Sequence, residues 1–228
     1  MNFRSKKCFF SRLIETNSHI WDEYLHHEFV KKLENGSLKE ENFLFYLKQD
    51  YIYLIHYAKC YARLALNAKN AEELRFAMKF QNYIIEGEIE LHKSILKLGI
   101  NADKLNVKDE SLTNIAYTRY MLSVGESGDF LDMLVALSAC AIGYGYIGAE
   151  IYKRLGKEKL QNHPYKEWIL TYSSDEFQSE IKEFEDFLNS YTQQISQEKF
   201  ENLSEIFYNV VRLENAFWEH ALQMKMDI

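Results

Sequence analysis

The sequence of 228 residues contains only one proline and nine glycines. Proline breaks helices and glycine weakens them, so their scarcity favours long helices joined by simple turns. The alternation of apolar and polar residues that marks half-buried strands is also missing, as are internal repeats, low-complexity segments and linkers. These absences predict an all-α helical bundle that forms a single domain over residues 1–228.

Cysteine is scarce, and the three that occur are Cys8, Cys60 and Cys140, far apart in the chain. An odd number at such spacing fits neither a disulfide framework nor a zinc site. The N-terminal stretch MNFRSKKCFF begins with basic residues but lacks the apolar core of a signal peptide. Free thiols and no signal peptide predict a cytoplasmic protein.

Positive charge is in deficit, with 27 lysines and arginines against 34 aspartates and glutamates, for a net charge of -7. No basic run interrupts this balance, so we do not expect nucleic-acid binding. Neither a GxGxxG nor a P-loop motif is present, and no Ser/His/Asp or Cys/His spacing typical of a hydrolase is evident.

Long uncharged runs are also rare, and the one from Met133 to Ala149 is the basis of our prediction of the central helix. Asp129 is suited to begin a helix there and Gly156 to end it. The run is at the short limit of the roughly 20 residues that span a bilayer, and the rest of the chain is amphipathic. We therefore predict a buried central helix rather than a membrane span, with other helices or a flat ligand approaching closely at its glycines, Gly143, Gly145 and Gly148.

The remaining apolar residues recur mostly at helical spacing and predict a series of amphipathic helices. Capping boxes are expected at Ser37 with Glu40, Asn70 with Glu73 and Ser173 with Glu176. The main predicted helices are Cys8 to His26, Leu38 to Leu66, Ala71 to Leu98, Ser111 to Val124, Tyr165 to Tyr172, a helix after Ser173, and Glu198 to Met224.

Four polar features fall on faces that the periodicity assigns to the interior: Asp50, the pair Glu88 and His92, Cys140, and Glu214. Each alone has a structural interpretation, as a salt-bridge partner, a buried hydrogen-bonded pair or a small hydrophobe. Because an unpaired buried carboxylate is costly, two inward carboxylates together with an inward cysteine and many tyrosines indicate a ligand or a reaction. A thiol nucleophile needs an acid to manage protons, and a carboxylate with a raised pKa can serve.

A metal site is the alternative interpretation of the same inward carboxylates. Helical di-iron proteins use two Glu-x-x-His motifs on two helices, and this chain has one, at Glu23 and His26. His56 and His92 remain as ligands for an irregular site, so a metal-dependent oxidase stays open at this point.

Several segments resemble the TenA family, thiaminase II, also called aminopyrimidine aminohydrolase, in order over nearly the whole chain. They are FYLKQDYIYLIHYAK around Asp50, AYTRYM around Tyr117, ACAIGY from Ala139, HPYKEWILTYSSDEF from His163, and RLENAFWEHA around Glu214. The resemblance implies a haem-oxygenase-like, TenA-like fold without haem, and usually a homotetramer.

The resemblance also implies the chemistry, which is hydrolysis of a carbon–nitrogen bond at the methylene on a pyrimidine ring. The substrates would be 4-amino-5-aminomethyl-2-methylpyrimidine, releasing ammonia, and thiamine, releasing the thiazole, with no metal or organic cofactor. The resemblance assigns Cys140 as the nucleophile and Glu214 as the acid. Its substrate-binding residues are Asp50, Tyr144 and Tyr172 around the pyrimidine, Tyr53 beside the thiol, and Tyr117 and Phe217 as walls.

Two departures from the family pattern bear on substrate preference. Ala139 stands where a proline is common before the cysteine, and Leu213 where an aromatic residue is common before the glutamate. The choice between salvage of degraded thiamine and cleavage of intact thiamine therefore stays open, as does a protein that binds a pyrimidine or thiamine without catalysis.

Overall fold

The computed structural model describes residues 8–89, 107–191 and 195–227, and within those ranges it contains helices and turns but no strand. The all-α prediction is confirmed for these residues. In chain order the helices are α1 Phe9–Thr16, α2 Ser18–Leu25, α3 Glu28–Glu34, α4 Glu40–Leu66, α5 Ala71–Tyr83 with a π-helical turn Ile84–Glu88, α6 Leu112–Ser127, α7 Phe130–Leu160, α8 Lys166–Tyr172, α9 Asp175–Tyr191 and α10 Gln197–Gln223; a short 3₁₀ turn covers Val107–Asp109.

Helix α7 is the centre of the fold, as its missing polar face predicts. It contacts α2, α4, α6, α8, α9 and α10. The Asp129 carboxylate accepts from the amides of Leu131 and Asp132, and the Asp132 carboxylate accepts from the Asp129 amide, completing a capping box. At Gly156 a positive φ of 68° kinks the helix before its last turn. The buried apolar side chains of these helices form one core, and the single domain over residues 1–228 stays a prediction.

Among the described residues, α7 meets the requirements of length and composition for a helix that crosses a membrane. Its most apolar window is, however, 78% buried inside the protein. A helix covered by its own protein on this scale is typical of a bundle core.

The glycines of α7 allow its neighbours to approach closely, as predicted. A Cβ at Gly148 would lie 2.6 Å from the Tyr172 Cβ and 2.8 Å from its backbone carbonyl carbon in α8. A Cβ at Gly143 would meet the ring of Tyr24, and one at Gly145 the side chain of Ile181. Glycine at these positions therefore sets the spacing between α7 and the helices around it.

We expect Gly148→Ala to destabilise the protein by about 1–3 kcal/mol, because backbone atoms of α8 block the added methyl group. Its displacement of Tyr172 should also lower kcat/KM. Gly87→Ala is the matched control, since a Cβ there meets nothing within 4 Å. Urea unfolding of both variants measures the difference, and equal stability of the two would contradict the packing role.

Several predicted helix boundaries differ from the structure. Helix α6 ends at Ser127 instead of Val124, and α7 continues past the predicted end at Gly156, through a kink, to Leu160. The helix predicted from Cys8 to His26 is broken at Asn17, whose side-chain amide donates to the Leu13 carbonyl and to Ser204 Oγ on α10. The capping box predicted at Ser37 is wrong, because α4 begins after Lys39 without a side-chain cap. The cap predicted at Ser173 lies one residue later, where Ser174 Oγ accepts from the Phe177 amide. The caps at Asn70 and Glu73 are confirmed.

Helical spacing predicts an inner stripe on the helix that begins at Ala71, and for Leu74, Met78 and Ile85 this prediction is wrong. Leu74, Met78 and Ile85 are 41%, 56% and 42% exposed. The rings of Phe76 and Phe80 take the inner positions instead, packing on aromatic residues of α4 and α9, because those rings provide the larger apolar area. The part of this predicted helix that follows Ile89, including His92, lies outside the described residues.

Candidate active site

A cavity lies against the middle of α7, bounded by α4, the π-helical turn, α8 and α9. Its empty space, including the opening to solvent, is about 460 Å³. Four of the residues predicted from the sequence line it: Asp50 from α4, Cys140 and Tyr144 from α7, and Tyr172 from α8. The tertiary structure therefore brings a thiol, a carboxylate and two phenols from three helices to one slot.

Cys140 lies on the cavity wall with 9% of its surface exposed. Burial raises the pKa of its thiol well above the ordinary value, and the carboxylates of Glu214, Glu88 and Asp50 raise it further. The Tyr53 hydroxyl, which also lies 3.9 Å from Met121 Sδ, lowers the thiol pKa through a hydrogen bond. The thiol is therefore protonated at rest, and Tyr53 is the neighbour that favours the thiolate.

Asp50 is 3% exposed and is held by a chain of aromatic donors. The Tyr46 hydroxyl donates to Asp50 Oδ2 at 2.9 Å, and Trp168 Nε1 donates to the Tyr46 oxygen at 3.1 Å. Asp50 thus lines the cavity while the Tyr46 hydroxyl holds its carboxylate from the buried side. A carboxylate on an apolar helix face needs such a hydrogen-bond partner.

Glu214 is 1% exposed, and the Tyr117 hydroxyl donates to its Oε1 at 2.7 Å. Burial raises the pKa of this carboxyl to about 8, and the charge of Asp50 raises it while the Tyr117 bond lowers it. Near neutral pH Glu214 is therefore largely protonated, which suits a proton donor.

We predict that Glu214 faces the same cavity as Cys140 and Asp50, since all three are inward polar residues on different helices. Glu214 is not among the residues that line the cavity, and nor are Tyr53, Tyr117 and Phe217. The rings of Tyr53, Tyr117 and Phe217 pack on one another, with Tyr53 5.0 Å from Tyr117 and 5.8 Å from Phe217 between centroids. Glu214 is nevertheless close enough to Cys140 for its charge to contribute to the raised pKa of the thiol.

Glu88, for which the sequence allows a structural or a metal-binding interpretation, lines the cavity. The Tyr172 hydroxyl donates to its Oε2 at 3.4 Å. Glu88 lies at the end of the π-helical turn, and such turns are frequent at functional sites. Among the described residues no group of three His, Cys, Asp or Glu side chains could hold a metal ion. His92 lies outside those residues.

Sequence reasoning missed two residues of the site, Tyr46 and Trp168. Tyr46 is one turn before Asp50 on the same inner stripe, which is a signal that could have linked them. Trp168 comes from α8, and no local pattern indicates that its indole reaches α4.

Comparison with known proteins shows which family the chain belongs to. The family model described as TENA/THI-4/PQQC matches residues 15–224. The aminopyrimidine aminohydrolase of Halalkalibacterium halodurans is 34% identical over 220 residues, which cover 96% of this chain and 97% of that protein.

Two solved structures are similar in fold. The TenA homologue from P. horikoshii OT3 superposes with a TM-score of 0.82 at 27% identity, covering 95% of this chain and 99% of that one. A domain of unknown function from Shewanella denitrificans with a haem-oxygenase-like fold gives a TM-score of 0.73 at 16% identity, covering 94% and 92%. The predicted haem-oxygenase-like, TenA-like fold is confirmed.

Proposed function

Because the chain belongs to the TENA/THI-4/PQQC family, we propose that Cys140 and Glu214 catalyse its hydrolysis of an aminopyrimidine. The protein is a thiaminase II of thiamine salvage, a hydrolase that acts on carbon–nitrogen bonds. Its substrates are 4-amino-5-aminomethyl-2-methylpyrimidine and thiamine, both cleaved at the methylene carbon. The observation that carries the proposal is the shared cavity of Asp50 and Cys140, residues distant in sequence.

The slot matches the shape and polarity of an aminopyrimidine. The rings of Tyr144 and Tyr172, 5.2 Å apart between centroids and tilted by 49°, provide apolar contact surface for the heterocycle. Asp50 accepts hydrogen bonds from the amino-substituted edge of the ring, where a charge-assisted bond adds both affinity and orientation. The remaining predicted residues complete the proposed site, with Tyr53 supporting the thiol and Tyr117 and Phe217 as pocket walls.

The reaction begins when Cys140 Sγ forms a bond to an electron-poor ring carbon and the thiol proton passes to a ring nitrogen. The electron-rich ring then expels the amine from the methylene, and the Glu214 carboxyl donates the proton that lets it leave as ammonia. Water adds to the exocyclic double bond and returns a proton to Glu214. The carbon–sulfur bond breaks, and the ring proton returns to the thiol, which restores the enzyme.

The remaining proposals concern the state of the protein in the cell. We propose a homotetramer in the cytoplasm, without nucleic-acid or membrane partners. The exposed apolar side chains Leu74, Met78 and Ile85 on α5 support association between copies. Light scattering on the purified protein measures the mass in solution, and a monomer would contradict the tetramer.

Ammonia release from 4-amino-5-aminomethyl-2-methylpyrimidine, measured beside the metal content of the same sample, tests the function. We expect turnover that does not depend on metal. Binding without turnover would indicate a pyrimidine-binding protein, and turnover that follows bound iron would indicate the oxidase alternative.

We expect Asp50→Asn to raise KM and lower turnover while the protein folds normally. The amide keeps the shape of the carboxylate but loses the charge that strengthens its bonds to the amino edge, a difference of about tenfold or more. Steady-state kinetics and thermal unfolding measure the two effects. Unchanged kinetics would refute the role of Asp50.

A further inference from the structure

Tyr46 lies where two hydrogen bonds behind the substrate pocket meet. Its hydroxyl donates to Asp50 Oδ2 and accepts from Trp168 Nε1, and it is close enough to Tyr144 for that residue to lower its pKa. Tyr46 is fully buried, and Trp168 is 2% exposed. Neither lines the cavity, so Tyr46 stands directly behind two groups that do, Asp50 and Tyr144.

The direction of the hydrogen bonds is fixed by chemistry. An indole N–H can only donate, so the Tyr46 oxygen must accept from Trp168. The single proton of Tyr46 is then directed at Asp50, whose carboxylate receives a donor on Oδ2. Burial and the charge of Asp50 raise the pKa of Tyr46 well above its ordinary value, which keeps that proton in place at all working pH values.

We propose that Tyr46, oriented by Trp168, is the positioning residue that holds Asp50 and Tyr144 in the arrangement that binds the substrate ring. The inference rests on the proposed function, because it takes an aminopyrimidine as the ligand of that arrangement. Without the Tyr46 donor, the Asp50 carboxylate loses the hydrogen bond to Oδ2 that orients it. Without the Trp168 donor, the Tyr46 hydroxyl is no longer committed to Asp50.

Tyr46→Phe is expected to raise KM for the aminomethylpyrimidine about tenfold, the usual value of a bond to a charged group. kcat should change little, since the interaction is made in the ground state and the transition state alike. Trp168→Phe, which keeps an aromatic ring but removes the donor, should raise KM about threefold.

Two comparisons separate positioning from simple packing. In the double variant, Trp168→Phe should add nothing to Tyr46→Phe, because Trp168 acts through Tyr46. Tyr165→Phe is the matched control: its buried hydroxyl donates to the Leu38 carbonyl near the same aromatic residues but outside this chain of bonds. Tyr165→Phe should lower thermal stability and leave KM unchanged.

Calorimetric titration with the product, 4-amino-5-hydroxymethyl-2-methylpyrimidine, measures the same effects without turnover. Weaker binding by Tyr46→Phe and Trp168→Phe, with normal binding by Tyr165→Phe, supports the inference even if the wild-type protein lacks hydrolysis. If the wild-type protein and the Tyr46→Phe variant bind the product with equal affinity, the inference is overturned and the proposed function stands. Additive effects in the double variant overturn the role of Trp168, and a wild-type protein that binds no pyrimidine overturns both proposals.

Discussion

Replacement of Cys140 by serine is expected to reduce hydrolysis of the aminomethylpyrimidine by about a thousandfold or more, while the protein still folds and binds the pyrimidine. A hydroxyl is a far poorer nucleophile than a thiol near neutral pH, and among the described residues the cavity contains no histidine that could activate it. Single-turnover measurement of ammonia, with calorimetric titration of the product, separates the loss of chemistry from any loss of binding.

Cys60→Ser is the matched control for this experiment. Cys60 is another fully buried thiol, but it does not line the cavity, and burial raises its pKa to about 12. Its replacement places a hydroxyl in an apolar site and should cost about 1–3 kcal/mol of stability, with activity per folded molecule unchanged. Ordinary activity in Cys140→Ser would end the proposal that Cys140 is the nucleophile.

Glu214→Gln is expected to lose most turnover and, at the same time, to become more stable than the wild type near pH 8. The glutamine amide cannot donate a proton to the departing amine. In the wild type, kcat should fall as the pH rises through about 8, since the donor form of Glu214 is lost there. The variant should lack this decline in its residual activity.

Glu214 changes the stability of the protein with pH in the direction opposite to a salt-bridged carboxylate. The folded pKa of Glu214 is about 8 and its ordinary value is 4.5, so between these values the folded protein binds more protons than the unfolded chain. The stability that comes from burying the neutral acid is therefore complete below pH 4.5 and is lost as the pH rises toward 8. Glutamine is neutral throughout and should remove this dependence.

Urea unfolding of wild type and variant at about pH 6 and about pH 8 measures the difference. Glu73→Gln is the control, since Glu73 is also buried but accepts hydrogen bonds from Lys69 and Asn70 at the start of α5, away from the cavity. It should retain turnover. The losses in a Cys140→Ser, Glu214→Gln double variant should not add, because both residues act in one sequence of steps. A Glu214→Gln enzyme with full turnover would exclude the acid role.

Much of the site could be predicted from the sequence, and the reason is periodicity. Asp50, Cys140 and Glu214 stand where a helical repeat demands apolar residues, and all three are buried. Periodicity alone did not assign their roles; the catalytic and substrate-binding assignments came from the resemblance to TenA proteins and remain proposals. Tyr46 and Trp168 were missed, because aromatic residues on an inner face look like ordinary core.

The sequence by itself determined the features that depend on neighbours along the chain. The all-α class, the caps at Asn70 and Asp129, and the central position of α7 follow from residue spacing within a few turns. The tertiary structure decided what depends on contacts between helices. The break at Asn17 involves Ser204, and the exposed side of α5 depends on aromatic packing against α4 and α9.

The same division holds inside the site. Periodicity directs Glu214 inward but cannot say whether it reaches the cavity or lies behind it. That placement, and a pKa of about 8, result from burial and from charges carried by other helices. Electrostatic energies depend on distances in space and on exclusion of water, and neither is set until distant segments pack together. The sequence indicates which residues take part in the proposed reaction, whereas their protonation states depend on the packing of the folded protein.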